Sequence, residues 1–98
     1  MGRKRPRPER LGEKLLRIRE ALDLSQAQIV DRLGLKEMKP ARISQYERNH
    51  REPSLPTLMA YAELAGVHLE DITNDNLDLP ENLPANFHYR GHPRKPPS

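Results

Sequence analysis

Between Pro40 and Asn49 the chain reads PARISQYERN, and this short segment holds the side chains best suited to recognition chemistry. At about 100° per residue along a helix, Ile43 and Tyr46 share one sector, while Ala41, Gln45 and Arg48 point the opposite way, flanked by Arg42 and Ser44. A glutamine can pair bidentately with adenine, and an arginine with guanine or a phosphate. A serine hydroxyl serves several groups, and an alanine can touch the methyl of thymine. Such a face fits the floor of a DNA groove. Any solvated helix carries similar residues, so the weight of this reading comes from the elements around it.

Those elements are legible from caps and spacing. Pro40 suits a first helical position, Asn49 tolerates the left-handed conformation after a helix, and Pro53 forbids continuation. A short amphipathic helix precedes it, with Ser25 as N-cap, Ile29, Val30 and Leu33 on one face, and Gly34 as stop. The two bracket a turn. Upstream, Leu11, Leu15, Ile18 and Leu22 are spaced four, three and four apart, the stripe of a core-facing helix. Downstream, Ser54 can cap a helix with Pro56 in its first turn, burying Leu58, Tyr61, Ala62 and Ala65 before Gly66 ends it. A fifth, short helix over residues 68–75 would add Leu69 and Ile72 to the core, with Glu70 and Asp71 in the first turn where the helix dipole favours them.

The order and spacing of these residues resemble the lambda repressor and Cro type of helix-turn-helix domain, the XRE family, over residues 9–75. The resemblance rests on Arg19 and Glu20, Leu24-Ser25-Gln26, Ile29, Leu33-Gly34-Leu35, Ile43-Ser44, Glu47, Pro53-Ser54, Leu58, Tyr61-Ala62, and Gly66-Val67 with Ile72. It implies an all-α, compact five-helix DNA-binding domain whose third helix lies in the major groove, with flexible N- and C-terminal tails. It also implies a structural ion pair between Arg19 and Glu47, a phosphate contact from Gln26, and pairing of two copies on half-sites about one helical turn apart. Three positions depart from the pattern. Lys36 to Pro40 make the turn longer than the family's, so it bulges out or lengthens the third helix. Asn49 stands where glycine is usual, and Val30 where a small alanine is usual.

Composition points the same way. Ninety-eight residues, 35% of them hydrophobic, fill one modest helical core and no roomy enzyme cleft. Residues 1–51 carry 14 Lys or Arg against 7 Asp or Glu, whereas residues 52–89 carry 7 acidic residues and no Lys or Arg. This division, hidden under a net charge of +3, favours a basic face toward a polyanion and an acidic back. Residues 1–8 form a basic arm expected to be disordered, with Arg3, Lys4, Arg5 and Arg7 able to follow phosphates or enter a narrow minor groove. Residues 76–98 form a proline-rich tail, expected to be largely disordered, whose Leu77, Leu79, Leu83, Phe87 and Tyr89 could dock on the domain or on a partner.

Catalytic patterns are missing. There is no Gly-rich phosphate loop, nucleophile elbow or paired metal motif. His88 and His92 are four apart, but Gly91 and Pro93 oppose a helix there and no third ligand is evident. The absence of cysteine excludes disulfides and thiolate metal sites. With no signal peptide or membrane span recognisable, a cytoplasmic, nucleoid-associated protein without cofactor is the expectation.

The sequence therefore predicts a double-stranded DNA-binding transcriptional regulator. Base reading falls to Ala41, Arg42, Ser44 and Gln45, and phosphate contact to Gln26, Lys39, Arg48, His50, Arg51 and, in the extended turn, Lys36. A homodimer is expected, with the fifth helix and Leu77 to Leu83 as candidate surfaces. The competing readings are an antitoxin-like adaptor that engages a protein partner through the C-terminal tail, and a nonspecific nucleoid-coating protein.

Overall fold

The computed structural model describes residues 8–35, 37–81 and 83. Among these residues the elements are five helices and no strand: α1 (Leu11–Ala21), α2 (Gln26–Leu33), α3 (Pro40–Glu47), α4 (Leu55–Ala65) and α5 (Leu69–Thr73). The all-α architecture read from the sequence is the one observed. No helix among the described residues is long and apolar enough to cross a membrane. Arg3, Lys4, Arg5, Arg7, Lys36, Phe87, His88, Tyr89 and His92 lie outside the described residues.

Local chemistry sets most of the boundaries. Ser25 and Gln28 form a reciprocal capping box at the start of α2: the Gln28 N–H donates to Ser25 Oγ at 3.0 Å, and the Ser25 N–H donates to Gln28 Oε1 at 2.8 Å. Gly34 and Gly66 end α2 and α4 at φ 69 and 76, in the left-handed region that a Cβ disfavours. Ser54 caps α4, accepting from the Thr57 N–H at 3.4 Å. The extra residues between α2 and α3 enter the turn: Glu37 sits at φ 67, and the Met38 N–H donates to Leu35 O at 3.4 Å. Helix α3 still starts at Pro40, with Lys39 as its N-cap.

The core is one cluster to which every helix contributes. Leu11, Leu15 and Ile18 of α1, Ile29 of α2, Ile43 and Tyr46 of α3, Leu58, Tyr61 and Ala65 of α4, and Ile72 of α5 are all buried. Each large aliphatic side chain removed from water contributes about 1.5–3 kcal/mol, and that burial holds the short helices in place. Packing does not stop at residue 75. Leu79 and Leu83 are buried in the same cluster, in chain without helix or strand, so these two leucines are committed to this domain.

Helix α5 is shorter than the predicted span of 68–75, because its C-terminal carbonyls are captured from outside. The Lys14 ammonium, on a residue only 1% exposed, donates to Asp71 O at 2.8 Å, Asn74 O at 2.8 Å and Leu77 O at 2.6 Å. All three donors of the ammonium are used, and Asn74 turns to extended backbone. Burial lowers the Lys14 ammonium from the ordinary lysine range, with the neighbouring Arg10 charge acting in the same direction. Alongside, Arg10 donates to Asp75 O and to the Asp78 carboxylate, while the backbone N–H groups of Glu9 and Arg10 donate to the two Asp75 carboxylate oxygens at 2.8 and 3.0 Å. Asp75 thus supplies the start of α1 with the acceptor that its own N-cap residue does not.

Candidate nucleic-acid interface

Helix α3 is amphipathic in the sense its sequence requires. Ile43 and Tyr46 are buried, Ala41, Gln45 and Arg48 are exposed, and Arg42 and Ser44 are half-buried at the edges of the outward face. The buried pair fixes the rotation of the helix about its axis and so determines which side chains point to solvent. Lys39 before the helix, and His50 and Arg51 after it, are exposed as well.

The C-terminal end of α3 is tied to α1 at two points. At its last residue, Glu47 receives the Arg19 guanidinium bidentately, Nε to Oε2 at 2.6 Å and Nη2 to Oε1 at 3.0 Å, the geometry in which arginine–carboxylate pairing is strongest. The side chains are 18% and 6% exposed, so the pair is largely shielded from solvent. The hydrogen bonds to Glu47 raise the Arg19 pKa above the ordinary arginine value. Arg19 also donates to Leu24 O at 3.0 Å, which fixes the approach to α2. The ion pair expected from the sequence is therefore present.

The second tie was not foreseen. Helix α3 ends in a Schellman motif, with Asn49 at φ 60, its N–H donating to Tyr46 O and the His50 N–H donating to Gln45 O at 2.8 Å. Asn49 Oδ1 accepts from the Gly12 N–H at 3.0 Å, and Asn49 Nδ2 donates to Glu9 O at 3.0 Å. This side chain gives a physical reason for asparagine where the family pattern has glycine: it takes the left-handed conformation and also caps a neighbouring helix. The approach requires glycine at position 12, where a Cβ would lie 2.8 Å from Glu47 O and Tyr46 O and 2.9 Å from Asn49 Oδ1. A glycine inside an otherwise apolar-periodic helix was the one sequence signal of this contact.

Gln26 lies at the first position of α2, half-buried, and one of its amide hydrogens goes to Glu47 Oε1 at 3.2 Å. It joins the Arg19–Glu47 network, with a second amide hydrogen beyond that contact. The extended turn contributes residues that the sequence did not single out. Glu37 and Met38, together with Lys39, Ala41, Arg42 and Gln45, line a concavity of about 360 Å³ in front of the outward face. The bond from Asn49 to Glu9 holds Glu9 beside the C-terminal end of α3.

The charge division is partly consumed inside the protein. Arg10 and Lys14 from the basic half hold the segment from Asp71 to Asp78. The expected basic face and acidic back are correspondingly reduced, and around α3 the exposed cations are Lys39, Arg48 and Arg51, with Arg42 half-buried. Among the described residues no three His, Asp or Glu side chains are grouped to hold a metal ion.

A helix-turn-helix family model matches residues 15–72, more than half of the chain, and the protein belongs to that family, the lambda repressor-like helix-turn-helix proteins. It is a family of DNA-binding regulators. No curated protein and no solved structure matches the chain.

Proposed function

We propose that this protein is a sequence-specific double-stranded DNA-binding regulator of transcription, acting by occupying its site or recruiting transcription machinery rather than by chemistry. The observation that carries the reading is the double anchoring of α3. Arg19–Glu47 and Gly12–Asn49 hold the C-terminal end of the helix at two points, and buried Ile43 and Tyr46 fix its rotation, while Ala41, Gln45 and Arg48 remain open to solvent. A rigid, outward polar face favours discrimination between bases, because an anchored helix presents its donors and acceptors in one register.

Ala41, Arg42, Ser44 and Gln45 are the base-reading set. Gln26, Lys36, Lys39, Arg48, His50 and Arg51 supply phosphate contacts, and Arg3, Lys4, Arg5 and Arg7 extend them along the duplex. The test compares two variants on a preferred and an unrelated duplex. Gln45→Ala should lose about 1–3 kcal/mol on the preferred site and little on the other, whereas Arg51→Ala should weaken both alike and flatten the salt dependence. Equal losses for Gln45→Ala on the two duplexes would remove it from the reading set.

A further inference from the structure

Glu37 and Met38 lie in the lengthened turn between α2 and α3, and neither is slack chain. Met38 is half-buried against the core, and its N–H donates to Leu35 O. Glu37 is exposed and stands at φ 67, a left-handed conformation that glycine or asparagine adopts more easily than a residue with a long side chain. Backbone held in that region without glycine marks a place to look for function. Among the described residues no ion pair engages the Glu37 carboxylate. The residue lines the concavity of about 360 Å³ together with Ala41, Arg42 and Gln45 of α3.

We infer, building on the proposed reading of DNA by α3, that Glu37 is a specificity-determining residue outside that helix. Its carboxylate accepts a hydrogen bond from the N4 amino group of a cytosine next to the bases read by Ala41 and Gln45. An ionised carboxylate only accepts hydrogen bonds. In the major groove the donors are the amino groups of cytosine and adenine, while guanine and thymine turn acceptors outward. Adenine sets its amino group beside the N7 acceptor, which repels the second carboxylate oxygen. Cytosine presents its amino group alone and is the better match. Phosphates are anions, so the DNA backbone offers this side chain only repulsion.

The walls of the concavity decide what it admits. Lys39 and Arg42 line it as well, and a wall of cations alone would draw in a phosphate. A carboxylate among them disfavours the phosphate and favours a base edge, which leaves the backbone to Lys39 and sets the register. Met38 pins the turn on one side and Pro40 fixes the start of α3 on the other, so Glu37 keeps a defined position relative to Gln45, as base discrimination demands. A wrong base strips water from the carboxylate without returning a donor, and that penalty adds to the lost bond. Replacing the favoured cytosine should therefore weaken binding about tenfold, toward the lower end of the range for base contacts.

Binding sites selected from a random duplex pool with the full chain, and with Glu37→Gln, Glu37→Ala and Glu37→Gly, test the assignment. The parent should enrich a cytosine at one position next to those that change in Gln45→Ala. Glu37→Gln, whose amide can pair bidentately with adenine, should shift that position toward adenine, and Glu37→Ala should make it indifferent, with the rest of the motif intact. Glu37→Gly removes the side chain and relieves the left-handed backbone. It should lose the preference while melting no lower than the parent, which separates lost selectivity from lost folding. A motif identical in the parent and all three variants overturns the assignment. So does a uniform gain in affinity on every duplex with an unchanged motif, the mark of a carboxylate that only repels the backbone. A change confined to the position that Arg42→Ala alters overturns it too, since Glu37 would then act through Arg42. In each of these cases a motif that still changes in Gln45→Ala leaves the DNA-reading proposal standing; if the parent enriches no motif, that proposal fails and the role of Glu37 fails with it.

Discussion

Arg19 and Lys14 are cations on the same helix, five residues apart, and both reach across the core to hold a distant part of the chain. Arg19 meets a carboxylate, two parallel hydrogen bonds answering a planar fork, and fixes the outward-facing helix α3. Lys14 meets three backbone carbonyls and fixes the end of α5 and the chain beyond it. The first contact serves the candidate interface; the second holds the segment after α5 against α1. Each cation is matched to its acceptor: guanidinium to the flat, paired oxygens of Glu47, ammonium to three carbonyls converging on one point. Two anchoring devices on one helix therefore use different chemistry because they face different acceptors.

Removing either cation is expected to cause the largest loss. Arg19→Ala leaves the Glu47 carboxylate with Gln26 as its remaining side-chain donor and should cost about 3–5 kcal/mol. Lys14→Ala strands three carbonyls at about 1–3 kcal/mol each, a total of similar size. Thermal melts measure both, and they also separate the two devices. Arg19→Ala should reduce DNA binding by loosening the fold; an unchanged melting temperature would remove the structural role assigned to the pair. The next effect in size concerns the second tie between α1 and α3. Gly12→Ala forces α1 and α3 apart and should cost about 1–3 kcal/mol, the usual range for overpacking; a neutral result would mean that the helices approach less closely than described.

Smaller effects sharpen the comparison between satisfied and unsatisfied polar groups. Among the described residues, Tyr61 carries the one buried side-chain oxygen without a hydrogen-bond partner, and burial pushes its hydroxyl pKa well above the ordinary tyrosine value. Tyr61→Phe should therefore be neutral or stabilising by about 1 kcal/mol, in contrast to the losses at Arg19 and Lys14. A clear destabilisation in denaturant titration would show that the hydroxyl has a partner. The smallest effect belongs to Asp75, whose carboxyl the Arg10 and Glu9 N–H groups hold below the ordinary aspartate range. A depressed folded-state pKa contributes stability above the unfolded value of about 3.9, and this is lost as pH falls through the folded value. Asp75→Asn should accordingly be less stable than the parent at neutral pH, with the gap closing below about pH 4. A gap that persisted in acid would contradict the role of the charge.

The difference between the two cations also explains what the sequence could reveal. Arg19–Glu47 was legible because both partners are side chains of fixed type at family spacing. Lys14 was not, because its acceptors are backbone carbonyls and any residue at 71, 74 or 77 supplies one. The same holds at the N-terminus of α1, which is capped by Asp75 and Asn49 from far along the chain, whereas Ser25 and Ser54 announce their helices locally. The outward and inward sectors of α3 followed from helical periodicity alone. The extended turn did not, since its path depends on the positive φ at Glu37 and on Met38 packing against the core. Leu79 and Leu83 were visible as apolar residues in a proline-rich segment, but only the anchoring by Lys14 and Arg10 carries that segment back over the core.

The most direct test of the central claim is selection from a random duplex pool at near-physiological salt, followed by sequencing, with Gln45→Ala run beside the parent chain. The expected result is enrichment of one motif, arranged as an inverted repeat, whose preferred bases change in the variant. Binding without enrichment, or enrichment of the same motif by both proteins, would contradict sequence reading by the outward face of α3.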